Sequence, residues 1–112
     1  MTEFNLADRT MKFAANCRSL IKEVPKTISN IEDCKQLARS SGSVAANYLE
    51  ADESLSRKDF ILRIKICRKE SRESRLWLGL IDAGSVTDKA TLLAQEAYEL
   101  VKICNAIVEK SK

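Results

Sequence analysis

From Leu6 onward the apolar positions fall three and four apart, at Phe13, Cys17, Leu20 and Val24. That spacing stacks them on one stripe of a helix, and Pro25 closes it, so a first helix is predicted over about Leu6 to Val24. The next row, Cys34, Leu37, Ser41, Val44, Tyr48 and Ala51, predicts a second helix ending near Asp52. "SNIE" has the form of a capping box and sets its start near Ser29. Ser56, with Asp59 three residues on, opens a third helix that runs to about Ala83, where Gly84 suits a C-cap. Thr87 is the expected cap of a fourth, whose inward row is Leu93, Ala97, Leu100, Cys104 and Ile107. All connections are short, so sequential helices should be antiparallel neighbours. The prediction is an all-α, up-down-up-down four-helix bundle forming a single domain over residues 1–112.

The third helix raises a question of its own. "KICRKESRESRLWL", Lys65 to Leu78, carries seven charged side chains in fourteen residues between two apolar runs. Placed at about 100° per residue, the charges sort by face. Phe60, Ile64, Cys67, Ser71, Ser74 and Leu78 form the core stripe. Lys58, Lys65, Arg68, Lys69, Arg72 and Arg75 share a second arc. Leu62, Ile66, Glu70, Glu73, Trp77 and Leu80 hold the third side. The basic arc reads either as a solvated face or as a contact for phosphates or an acidic partner. The apolar flank Leu62, Ile66, Trp77 and Leu80 reads either as peripheral core or as a subunit interface, and the interface is favoured.

Composition narrows the classes. At 112 residues, 45% apolar and 31% charged, with three glycines and one proline, the chain suits one domain of long helices. Net charge is only +3, yet the third helix region holds eight Lys or Arg against four acids, and the second is net acidic. No apolar run approaches the length of about 18 residues that spans a bilayer, so no membrane partner is expected. "MTEFNLADRT" lacks a signal-peptide core, and a cytoplasmic protein is expected. Cys17, Cys34, Cys67 and Cys104 lie far apart and the chain has no histidine, so free, buried thiols are expected rather than a zinc site. Neither metal nor cofactor is expected. No Cys-His or Ser-His pair and no Gly-rich phosphate loop is present, which argues against an enzyme.

Helix two carries a further cluster, "QLARSSGSVAANYLEA". Its small residues Ala38, Ser41, Gly42, Ala45 and Ala46 allow close helix approach, with Arg39, Asn47 and Glu50 bordering them. Glu70 and Glu73 are placed to pair with Arg39 or to accept from Asn47, giving a structural polar network. A catalytic carboxylate pair there would need a pocket that the sequence does not show.

This stretch, together with "SRKDF", "KICRKESRESRLWL", the "ADRTMKFA" opening and the "VPKT" break, resembles the bacterial four-helix bundle proteins encoded in 23S rRNA intervening sequences. Gln36, Arg39, Asn47, Tyr48, Glu50, Glu70, Glu73 and Trp77 all match positions of that pattern. One departure is local: the family usually places glycine nearer the end of the Arg-Ser turn and again before Ala-Asn, where this chain has Gly42 one place early and Ala45. The resemblance implies an up-down bundle assembled into a homo-oligomeric ring, typically a pentamer. A related branch serves diversity-generating retroelements as an accessory protein, which implies a reverse transcriptase or ribonucleoprotein as a candidate partner.

Two functions follow as expectations. The first is a non-enzymatic homo-oligomer that binds RNA or DNA phosphates through the basic arc. No stacking aromatic interleaves with those residues along the helix, so binding is expected to ignore sequence. The second is a protein-interaction scaffold without nucleic-acid contact.

Overall fold

Asn5, Thr27 and Ser56 start three helices by one device, a side-chain oxygen accepting the backbone N–H three residues on. The distances are 3.1 Å to Asp8, 3.1 Å to Asn30 and 3.0 Å to Asp59. Each such cap satisfies an otherwise orphaned amide and is worth about 1 kcal/mol. The computed structural model describes residues 5–112, so the first four residues of the stretch read for an export signal lie outside it. Four helices follow in order: α1 Leu6–Glu23, α2 Ile28–Asp52, α3 Arg57–Leu80 and α4 Thr87–Lys110, with a 3-10 turn at Gly84–Val86.

Contacts between neighbours run in opposite numerical order. Along α2 and α3, Arg39 meets Glu73, Val44 meets Cys67 and Asn47 meets Arg63. Along α3 and α4, Arg68 meets Asn105 and Arg75 meets Tyr98. Across α1 and α4, Arg9 meets Glu96 and Glu23 meets Lys89. Every adjacent pair is therefore antiparallel, and the architecture is an up-down-up-down four-helix bundle. Among the described residues no helix is long and apolar enough to cross a membrane.

The inward rows meet in one core. Phe13, Leu20, Leu37, Ile64 and Leu100 are fully buried, each worth about 1.5–3 kcal/mol of apolar transfer. Tyr48, Phe60 and Ile107 are only partly buried and pack on its rim, and Val108 rather than Ile107 fills the last turn of α4. Cys17, Cys34, Cys67 and Cys104 are free and buried. Small residues let α2 and α3 approach most closely, where the Ser40 and Ser74 hydroxyls meet at 2.8 Å with no exposure. Gly42 has a local reason for its shifted place. Arg18 of α1 lies against it, with Nη2 only 3.1 Å from where a Cβ would stand. Held there, the guanidinium donates to the Ala38 carbonyl at 3.1 Å and the Ala14 carbonyl at 3.2 Å.

Three boundaries differ from the sequence reading. Thr27 rather than Ser29 caps α2, because Oγ1 of Thr27 accepts the Asn30 amide and frees the Asn30 side chain. That side chain is buried and fully engaged: Nδ2 donates to the carbonyls of Pro25 at 2.9 Å and Asp82 at 2.8 Å, while Oδ1 accepts the Asp82 amide at 3.0 Å. Pinning Asp82 stops α3 at Leu80, three residues short of Ala83. Gly84 consequently sits beyond the helix, in the left-handed region at φ 57°, against Pro25 of the opposite loop. Thr87 does not N-cap α4; it is the first residue of that helix and closes the 3-10 turn before it, its hydroxyl donating back to the Gly84 carbonyl at 2.7 Å.

Candidate nucleic-acid interface

The outer face of α3 is basic because its core stripe is turned inward by Ile64, Cys67, Ser71, Ser74 and Leu78, all buried. Lys65, Lys69, Arg72 and Arg75 are exposed along it and Arg68 is half-buried. Lys58 is exposed too, but it stands in the first turn, about 10 Å down the axis from Lys65 at 1.5 Å per residue. Arg68 is anchored from α4, donating through Nη1 to Asn105 Oδ1 at 2.8 Å. Lys69 reaches Glu70 only at 3.8 Å. Among the described residues Lys58, Lys65, Arg72 and Arg75 take part in no ion pair. Lys65, Arg68, Lys69 and Arg72 border one shallow groove with Leu76 and the acidic Glu73.

At its far end the strip gains an aromatic that the helix-three sequence does not contain. Tyr98 projects from α4, with the Arg75 guanidinium carbon 4.6 Å and Lys102 Nζ 4.9 Å from its ring centre. An aromatic therefore does adjoin the basic residues, contrary to the reading along α3 alone. The signal available in sequence was Tyr98 four residues before Lys102; its meeting with Arg75 comes from α3–α4 packing.

The polar network is built on Arg39. Its Nη1 donates to Glu70 Oε1 at 3.3 Å, its Nη2 to Glu73, and its Nε to Gln36 Oε1 at 3.4 Å. Glu70 is 5% exposed, so this carboxylate is held between α2 and α3 by charge-assisted bonds. Asn47 belongs to a different contact. It donates to the Ser43 carbonyl at 2.9 Å and accepts from Arg63 Nη1 at 3.2 Å, too far along α2 to reach the acidic pair. Glu50 is exposed and no hydrogen bond ties it to the cluster. Both carboxylates clamp α3 to α2, and Glu73 also lines the groove bordered by Lys65, Arg68, Lys69 and Arg72.

The apolar flank is divided. Trp77 packs on the core and Ile66 is half-buried, whereas Leu62 is 53% and Leu80 57% exposed. The Trp77 indole N–H is buried without an acceptor among the described residues. Among those residues no group of three or more acidic or thiol side chains is arranged to hold a metal ion.

Residues 2–106 match the family described as 23S rRNA-intervening sequence protein. The chain belongs to that family. Arg39 on α2 clamps α3 through Glu70 and Glu73, and Gln36 of the same helix accepts from Arg39 Nε. A solved relative is a protein of unknown function from the S23 ribosomal protein family of Bacteroides thetaiotaomicron VPI-5482, at a TM-score of 0.81 and 27% identity. The alignment covers 93% of this chain and 98% of that one. Among curated proteins, none matches the chain.

Proposed function

We propose that this 23S rRNA-intervening sequence protein is a non-enzymatic homo-oligomer that holds RNA or DNA by its phosphates, through the exposed face of α3. The observation that carries the reading is the strip of Lys65, Lys69, Arg72 and Arg75, whose charges are left largely uncompensated on an otherwise nearly neutral chain. A positive strip of this kind raises the local concentration of polyanions and releases their counterions on contact. Family names that refer to 23S rRNA and to ribosomal proteins support an RNA setting. Backbone contact alone carries no base information, so recognition along the strip ignores sequence.

Assembly belongs to the same reading. Leu62 leaves apolar surface outside the protomer beside Ile66 and Trp77, while Leu80 lines the α3–α4 groove, and the resemblance to ring-forming relatives supports a pentamer. A reverse transcriptase or ribonucleoprotein is the partner class that the retroelement branch supports, and it would reach the ring through the nucleic acid it carries. The test is charge reversal. Lys65→Glu, Lys69→Glu and Arg72→Glu together should abolish binding of mixed-sequence oligonucleotides by fluorescence anisotropy, with helicity and oligomer mass unchanged. Equal binding by the triple variant makes the strip a solvated face and leaves the scaffold reading in its place.

A further inference from the structure

Beyond the phosphate strip, the α3–α4 groove at its end has the chemistry of a site for an unpaired base. Leu76, Leu80 and Val101 give it an apolar floor, Gly79 opens it, and Arg72 stands at its rim. Its volume is about 630 Å³, within the range of small-ligand sites. Gly79 matters by what it omits, since nothing lies within 4 Å of a Cβ placed there. Tyr98 forms one wall and is 39% exposed. The Arg75 guanidinium covers part of its ring, and a guanidinium lying on an aromatic presents a flat outer surface on which a base can stack in turn.

We propose that this groove binds a flipped-out or single-stranded nucleobase, so that the protein prefers single-stranded RNA or DNA to duplex. The inference rests on the phosphate-binding reading of α3. Lys65, Arg68, Arg72 and Arg75 recur every three or four residues, about 5 Å apart along the helix axis. A strand following that row delivers its next nucleotide to the groove that Arg72 shares with the basic strip. An unpaired base is free to turn onto the outer surface of the Arg75–Tyr98 stack and onto Leu76, whereas a duplex must first unpair and unstack one. The occupant is a nucleobase and not an acidic peptide because the groove pairs flat cation and aromatic surfaces with apolar walls, the combination that single-strand binders use.

The experiment compares a labelled single-stranded oligouridine with a duplex of equal length, against wild type, Tyr98→Phe and Tyr98→Leu. Wild type and Tyr98→Phe should bind the single strand about tenfold more tightly than the duplex, and Tyr98→Leu should lose that preference while keeping duplex affinity. A 4-thiouridine oligomer should photo-crosslink to the peptide containing Tyr98. Equal affinity of wild type for both probes, with charge reversal still abolishing each, overturns the base site and leaves the phosphate strip standing. Binding of neither probe overturns both. If Tyr98→Leu lowers the oligomer mass and leaves the single-strand preference intact, the groove is covered by a second copy of the chain and the base site is overturned.

Discussion

Asn30 shows how much of the architecture one side chain can hold. It closes both loops at one end of the bundle through three hydrogen bonds to backbone groups that have no easy route to water. Asn30→Ala leaves those groups unpaired and opens a small void, so a loss of about 2–4 kcal/mol is expected. A shift in the urea midpoint at constant slope would measure it. Cys17 makes a different demand. Burial pushes its thiol from 9.0 up to about 12, against the lesser opposing influence of a hydrogen bond with Ser41 and the charge of Arg18. In the Cys67–Cys104 pair one shared hydrogen bond pushes Cys67 up and Cys104 down, so the two oppose each other. The unfolded chain releases the Cys17 proton near the ordinary thiol value while the fold retains it. Stability is therefore fully present below about pH 9 and falls as pH rises towards 12. Cys17→Ala should flatten that alkaline decline while lowering stability near neutrality by a cavity cost; an unchanged slope would contradict the assignment.

At the scale of the elements, the helices and their inward faces were legible because each row repeats at three-to-four spacing and that repeat is itself what packing selects. The ends were less legible, for reasons that lie outside each helix. Thr27 outcompetes Ser29 because Asn30 is needed elsewhere, and α3 stops at Leu80 because Asn30, fifty residues away, holds Asp82. The basic strip was readable on α3 alone. Tyr98 was not, since its place beside Arg75 depends on how α4 docks. Of the polar residues, Arg39, Glu70 and Glu73 face one another, while Asn47 and Glu50 sit farther down α2. The weakest seam lies between α1 and α4, which touch least of all neighbouring helices. It is clipped by the paired bonds of Arg9 to Glu96, at 2.7 and 2.8 Å, and by Lys89 to Glu23 at 2.9 Å. Hydrogen exchange should therefore find α1 opening before α2 and α3. Arg9→Ala should speed exchange in α1 about fivefold, consistent with a partly exposed pair worth about 1 kcal/mol, and this effect should shrink at high salt. Uniform protection across the four helices would show that the seam is not a separate opening unit.

The whole molecule combines an inward clamp with two outward surfaces, one apolar and one basic. The apolar surface predicts assembly. Wild type should scatter light as a multiple of the 12.6 kDa protomer at about 10 µM, and Leu62→Glu should return it to the protomer mass with its helicity retained, because that side chain is already outside the protomer core. A monomeric wild type would contradict the ring. For the basic surface the most direct measurement is the salt dependence of binding to single-stranded oligonucleotides, from about 50 to 300 mM. Contacts by Lys65, Arg68, Lys69, Arg72 and Arg75 predict a slope of log K against log salt of about −3 to −4 for each strip engaged, at about 0.7 per phosphate. Neutralising Lys65, Lys69 and Arg72 to glutamine should weaken binding at every sequence tested and shallow the slope by about two units. A slope near zero in wild type, or one that the three substitutions leave unchanged, would contradict the claim that α3 holds the phosphates.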